Sequence, residues 1–462
     1  MQRIANADDT RHQRKSSHPV LVRLNRNSMD AAGQAETGTM TDTHRTRLAR
    51  ALLTMTAALL IGSGAAAAVE PNTDIARFIE TARRMNPEVA ATALETDAAT
   101  ARIASAGALD DPKFKVELEL PRSGPGYLPR YRAGQELYQV RQMFPLWGKR
   151  DLKQEIAAAD SRKAATAQAE VANQIAYRVK VAYAEYHAAH LAADETRKLL
   201  GTVRRLSDLA RARYAQGPGK QQDITGANAE AGALTAELAR MDADRHRAQV
   251  RLNGLLARSP ETPLPAKPLP RPVPPLETLP ADALVDRARS DFPAVRAQLA
   301  QIDSADGSRR LAEKNGYPDV ELGLGAIRRD GRFDGYQAMV EVNIPLYADR
   351  RQAEQREAAS MAGAARAKLE QIRLDVATDV HEAYAMLAAL KERKRIVREI
   401  TLPQARIALE AATRGYELSR EEFANLLQAE QTLRRALVEY VNVTFEEQVR
   451  LAEIERLVGG EL

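Results

Sequence analysis

The chain carries 462 residues, of which 28% are charged and only 5% aromatic, a balance that suits extended helices better than aromatic-filled compact cores. It has no cysteine, which excludes a disulfide framework and thiol chemistry. Residues 1–68 hold nine Lys/Arg against five Asp/Glu, so of the net charge of +5 only about +1 belongs to the rest, and the basic pI does not point to nucleic acid.

Arg45, Arg47 and Arg50 precede an apolar run from Ala51 to Ile61, which the small residues of Gly62 to Ala68 follow. This is a signal-peptide layout. The apolar core of 11 residues is shorter than the roughly 20 that a spanning helix needs. Residues 1–68 therefore read as leader and signal peptide, with cleavage expected near Ala68. Met40 stands just before the arginines as a natural start, and a long genuine leader from Met1 is the alternative. No later segment reaches 18 consecutive apolar residues, so membrane entry is open to a β-barrel and not to a helix.

Past the leader the chain repeats itself. Asn86-Pro87-Glu88-Val89 returns as Phe292-Pro293-Ala294-Val295, and Asp111-Pro112-Lys113-Phe114 as Tyr317-Pro318-Asp319-Val320, both offset by 206. Phe144-Pro145-Leu146-Trp147 returns as Ile344-Pro345-Leu346-Tyr347, and Tyr214 as Tyr416. The organisation expected is a first repeat over 69–257, a linker over 258–280 and a second repeat over 281–462. Nine prolines between Pro260 and Pro280 forbid a helix in the linker.

Each repeat changes period twice. Phe114, Val116, Leu118 and Leu120 alternate with Lys115, Glu117 and Glu119, and Val320, Leu322, Leu324 and Ala326 alternate with Glu321, Gly323 and Gly325. Tyr336, Ala338, Val340, Val342 and Ile344 form a third such run, and residues 131–142 take the fourth place with a poorer pattern. These predict hairpins over 112–144 and 318–345, with tips at Ser123-Gly124-Pro125-Gly126 and Asp330-Gly331.

The period then becomes helical. Ile175, Val179, Ala182, Tyr186, Ala189, Ala193, Thr196, Leu200 and Val203 are spaced by four and three, a coiled-coil seam within a helix expected over 147–216. A counterpart spans 348–418, with a kink at Pro403. Return helices over 222–256 and 423–457 keep the seam through Ile224, Ala227, Ala231, Leu234, Leu238 and Met241, and through Leu426, Ala429, Leu433, Ala436, Tyr440 and Val443. Alanine seams bury little area, about 0.8 kcal/mol less for each missing CH₂. Four strands are likewise fewer than the about eight that close a barrel. Both shortfalls predict an oligomer.

This order resembles the TolC family of outer-membrane efflux proteins over nearly the whole mature chain. The resemblance implies a mainly α fold with a small β part, in which long helices form a trimeric α-helical barrel joined to a shared 12-stranded transmembrane β-barrel, four strands per subunit. The family's tip motif, an aromatic, Gly three further on and Asp six beyond that, is matched by Tyr214, Gly217 and Asp223. The second copy departs from it: Ser419 follows Tyr416 where Gly is usual, and Asn425 and Gln428 stand where acids are common. The resemblance thus implies a periplasmic gate at Asp223 and Gln428, with Asn425, Glu421 and Glu422 beside it. It puts adaptor contacts at Tyr214, Gly217, Tyr416 and Ser419. A cap on the returning helix is the alternative role for Asp223.

The barrel-to-helix junctions are Pro145 with Trp147 and Pro345 with Tyr347. The run from Gln142 to Arg150 is similar to the junction in the heavy-metal branch, whose members serve cobalt-zinc-cadmium and copper-silver pumps. The resemblance further implies a passive outer-membrane duct with a periplasmic extension, taking cargo from an inner-membrane resistance-nodulation-division pump through a periplasmic adaptor, a membrane fusion protein. Heavy-metal cations are the expected cargo. A multidrug or type I secretion channel is the alternative, and a periplasmic coiled-coil adaptor a further one, which the apolar strand faces argue against.

Other chemistries find little footing. His187 and His190 share a helix face at a spacing that could ligate a metal, but no carboxylate cluster or cysteine stands near them in sequence, so a packed or solvated face is the reading. No GxSxG, HExxH or P-loop motif occurs, and the basic run from Lys391 to Arg398 reads as a solvated helix face. The chain is read as a non-enzyme without cofactor or metal site, with outer-membrane lipid as a partner and no nucleic acid.

Overall fold

The computed structural model describes residues 73–119, 134–329 and 331–462. The leader, the expected cleavage at Ala68 and the first hairpin tip lie outside them, as does Asp330. Helices α1 (Thr73–Met85) and α2 (Pro87–Gly107) open the first repeat. Pro87 stands in the first turn of α2, where its missing N–H costs nothing, and the Asn86 side chain accepts from the Glu88 N–H at 2.9 Å. Pro293 starts its counterpart in the same way, without a side-chain cap from Phe292.

Strands β1 (Lys113–Glu119), β2 (Gln135–Phe144), β3 (Asp319–Arg329) and β4 (Arg332–Asn343) form one antiparallel sheet in that order. The register aligns like with like. Phe114 faces Val140, Leu324 and then Ala338, while Val116 faces Tyr138, Ala326 and then Tyr336. One face of the sheet is thus apolar across all four strands, and in the single chain Phe114, Leu324, Tyr336 and Val340 are exposed. The other face carries Lys115, Gln139, Arg141, Glu321 and Gln337, and Arg141 lies 3.5 Å from Glu321 across it. A register shift at Ile327/Arg328 and Gly331 at φ +74° turn the second hairpin.

Helix α3 (Lys149–Ala215) runs 67 residues, about 100 Å at 1.5 Å per residue, and α4 (Gln221–Leu255) returns beside it. The first helix begins two residues later than the sequence suggests because Trp147 and Gly148 are both left-handed. Helices α5 (Ala281–Asp291), α6 (Pro293–Lys314), α7 (Ala348–Ile396), α8 (Leu402–Glu417) and α9 (Phe423–Leu457) complete the second repeat. Between α7 and α8 lies a π-turn, Val397–Thr401, in which the Leu402 N–H donates to the Val397 carbonyl. The wide turn sits immediately ahead of Pro403, so the distortion falls before the proline and not at it. Widening moves the i−4 carbonyl off the ring that would otherwise strike it.

The seam read from the spacing is the core. Ile175, Val179, Ala182, Tyr186, Ala193, Leu200 and Val203 are buried, as are Ala227, Leu234, Met241, Leu426, Leu433, Ala436 and Val443. Leu199, Leu200, Val203, Leu234, Leu433 and Leu437 meet in one cluster, so both repeats share it. The proline linker lies strapped to the helices. Its carbonyls accept from Tyr186 at Pro265, from Asn253 at Pro260 and from Lys391 at Pro274. Arg271 anchors it: Glu455 accepts from Arg271 at 2.6 Å and from Lys180 at 2.9 Å, all three side chains being buried.

Candidate functional site

Among the places where the repeats meet, two carry the site residues expected from the sequence: the tips of the helices and the junction with the sheet. At the first tip α3 ends at Ala215 and the chain turns through Gly217, at φ +97°, and Gly219. A Cβ at Gly219 would stand 2.4 Å from the Tyr214 amide nitrogen, so that position admits no side chain. The second tip makes the matching turn with Ser419 at φ +59°, a conformation that only about a few per cent of non-glycine residues adopt. Arg213 of the first repeat holds it, donating to Ser419 Oγ at 2.9 Å and to the Tyr416 carbonyl at 2.5 Å.

Tyr416 is the centre of the arrangement. Its side chain is only 2% exposed, with Phe423 packed against the ring edge at 5.6 Å between centroids and the Arg213 guanidinium 4.2 Å over its face. Its hydroxyl donates to Asp223 Oδ2 at 2.8 Å. Burial, reinforced by that carboxylate, pushes the phenol up to about 12, so it remains a donor across the physiological range. Asp223 stands in the first turn of α4 behind Lys220, whose side chain does not cap that helix. Its carboxylate therefore serves the partner repeat, where the sequence offered a cap on its own helix as one role.

The other tip residues separate by exposure. Tyr214 is half exposed while Tyr416 is buried, so of the two only Tyr214 presents its side chain at the surface. Glu421, Glu422, Asn425 and Gln428 are exposed. The Asn425 amide donates to Glu421 at 2.7 Å, and Glu422 lies 3.9 Å from Lys220. Arg213, Gly219 and Phe423 belong to this site but were not singled out by the sequence. Extending the α9 seam back three residues from Leu426 would have found Phe423; nothing in one sequence distinguishes Arg213 from the arginines around it.

At the junction, left-handed Trp147 is held by its indole N–H, which donates to the Pro318 carbonyl at 2.9 Å, and by Tyr317 at 5.2 Å between rings. Lys149, buried, donates to Asp319 at 2.8 Å and to the Tyr317 carbonyl, while the Leu146 N–H donates to the other Asp319 oxygen. Pro145 and Trp147 of the first repeat are thus pinned to the strand entry of the second. Pro345 and Tyr347 at the other junction have no such mate among the described residues, and Tyr347 and Leu346 are exposed. His187 and His190 are held toward their neutral forms by burial, and His190 Nδ1 bonds the Tyr186 carbonyl at 3.0 Å. Among the described residues no three His, Cys, Asp or Glu side chains are grouped closely enough to hold a metal, and no helix is long and apolar enough to cross a membrane.

Comparison with known proteins agrees with this fold. The family model described as "Outer membrane efflux protein" matches residues 78–258 and 284–460. A cobalt-zinc-cadmium resistance protein, CzcC of Cupriavidus metallidurans, is 27% identical over 185 residues, which are 40% of this chain and 44% of that protein. The chain therefore spans less than half the length of this curated relative. Among solved structures, the outer-membrane channel OprN superposes with a TM-score of 0.72 at 20% identity, over 84% of this chain and 90% of that one. CusC, a protein solved in a study of transmembrane channel formation, gives 0.72 at 15% identity, over 84% and 92%. With the family model covering both repeats, the chain belongs to the outer membrane efflux protein family, a protein of the outer membrane whose helices extend into the periplasm.

Proposed function

We propose that the chain is one subunit of a homotrimeric outer-membrane duct that passively exports cations delivered by an inner-membrane pump through a periplasmic adaptor. The observation that carries this reading is the sheet: four strands, one continuous apolar face exposed, and two open edges at β1 and β4. A lipid-facing sheet with open edges is unstable in hydrocarbon, because each unpaired backbone group there costs several kcal/mol. Three copies supply twelve strands and remove every edge. Exposed apolar residues along α7, the π-turn and α8, Leu374, Met386, Ile400 and Ile407, support the same pooling for the helices. Trp147 and Tyr347, both exposed beside the sheet, suit the boundary between lipid and water.

Cations are favoured as cargo by the similarity to CzcC and by the acidic tip. In a threefold assembly Glu421, Glu422 and Asp223 would each be repeated, and a ring of carboxylates in a narrow passage attracts cations. Tyr214 with the Gly217 and Ser419 turns forms the outward surface an adaptor would meet. Deleting the gene is expected to lower tolerance to cobalt, zinc, cadmium, copper or silver while drug tolerance is kept; lost drug tolerance with unchanged metal tolerance would assign the duct to multidrug export instead.

A further inference from the structure

Between the apolar layers of Leu426 and Leu433, α9 buries a carboxylate that none of the described residues pairs. Glu430 is 0% exposed, and among the described residues neither of its oxygens has a hydrogen-bond partner. The charges that act on it are Arg434 of its own helix and Glu230 and Glu237 of α4. Arg434 is already committed, lying 2.7 Å from Glu230. On the facing stretches of α3 and α8 the charged residues Arg204, Arg205, Asp208, Arg406 and Glu410 are exposed, and α3 turns Val203, Leu206 and Ser207 inward. The interface therefore holds more carboxylates than cations, in a place where an isolated ionised group is not tolerated. The grouping is too open for a metal ion.

We propose that Glu430 is a proton-operated latch: α9 packs on α4 with Glu430 protonated, and loss of the proton loosens the second-repeat tip from the first. Desolvation, followed by the repulsion of Glu230 and Glu237 against the attraction of Arg434, raises this carboxyl from 4.5 to about 7. The packed state keeps its proton where a solvated Glu has lost it. Packing is thus strongest at low pH, weakens as pH rises from the ordinary carboxylate range to about 7, and levels off above that. The Tyr416 phenol at the same tip, pushed up to about 12, keeps its proton throughout this range, so its bond to Asp223 is a fixed tie beside the variable one. That a loosened tip widens a passage rests on the channel reading; the latch itself does not.

The test is hydrogen exchange of the purified full-length protein in detergent at pH 5 and pH 8, wild type against Glu430→Gln, read over peptides of residues 423–440. Comparing the two proteins at one pH removes the intrinsic pH dependence of exchange. The latch predicts a difference of no more than about fourfold at pH 5 and, at pH 8, exchange at least about tenfold slower in the variant, under a ceiling of ~300-fold set by the shift in acidity. Glu230→Gln, which frees Arg434 to pair with Glu430, should slow the wild-type exchange at pH 8 in the same direction. Equal protection of wild type and Glu430→Gln at pH 8 would overturn the latch while leaving the export reading untouched, and so would a variant less protected at both pH values.

Discussion

Glu455→Ala is expected to give the largest loss of stability of any single substitution in the helical region, about 3–5 kcal/mol, read as a lower denaturant midpoint of the helical circular dichroism signal. Glu455 is the common acceptor for Lys180 of α3 and Arg271 of the linker. Removing it leaves two buried cations uncompensated, and Glu461, 4.0 Å from Lys180 but largely exposed, can answer only one of them weakly. The same substitution loosens the linker at Arg271, which keeps only its bond to the Gln448 carbonyl at 3.2 Å and the bond that Gln448 returns to the Arg271 carbonyl. Removing all three charges together, with Lys180→Met, Arg271→Met and Glu455→Leu, should recover most of the loss, since apolar side chains of similar size carry no desolvation cost. A triple variant as unstable as Glu455→Ala would show that the linker depends on these charges for geometry and not for compensation.

Tyr416→Phe is expected to loosen the tip without unfolding it. The substitution keeps the ring between Phe423 and Arg213 and removes only the hydroxyl that donates to Asp223. A hydrogen bond to a charged acceptor contributes about 1.5–3 kcal/mol, which shifts a two-state tip by roughly tenfold or more. In planar bilayers the variant should therefore spend about tenfold more time in its higher-conductance state. Because the phenol titrates only near 12, the wild-type contact should be constant from pH 5 to 9. Unchanged channel records together with a lower thermal midpoint would make the contact a matter of stability alone.

The helical part of this fold was legible because its seam follows one rule for tens of residues, and the positions spaced by three and four are those the structure buries. The strands were legible on one side only. β1, β3 and β4 alternate clearly because one face is apolar, whereas β2 sets Glu136 and Gln142 among Tyr138, Val140 and Phe144 on that face, and Leu137 and Met143 among Gln139 and Arg141 on the other. The π-turn was not legible. One extra residue in a helical turn leaves no trace in the spacing, and Pro403 announces a disturbance without saying on which side it falls.

The site was legible in part for a related reason. Gly217, Asp223 and Tyr416 belong to a motif, but the bond between Asp223 and Tyr416 spans 193 residues and two repeats. Glu430 and Glu455 read as surface charges, since a carboxylate next to a seam is solvated in most helices. Only the packing of a third and fourth helix buries them.

The claim on which the rest depends is that four strands and two open edges are completed by two further copies of the same chain. Native mass spectrometry of the detergent-extracted protein measures this directly. A single species of three chains, retaining its β-signal and dissociating only when the fold is lost, is the expected result. A monodisperse monomer with the sheet intact would contradict it.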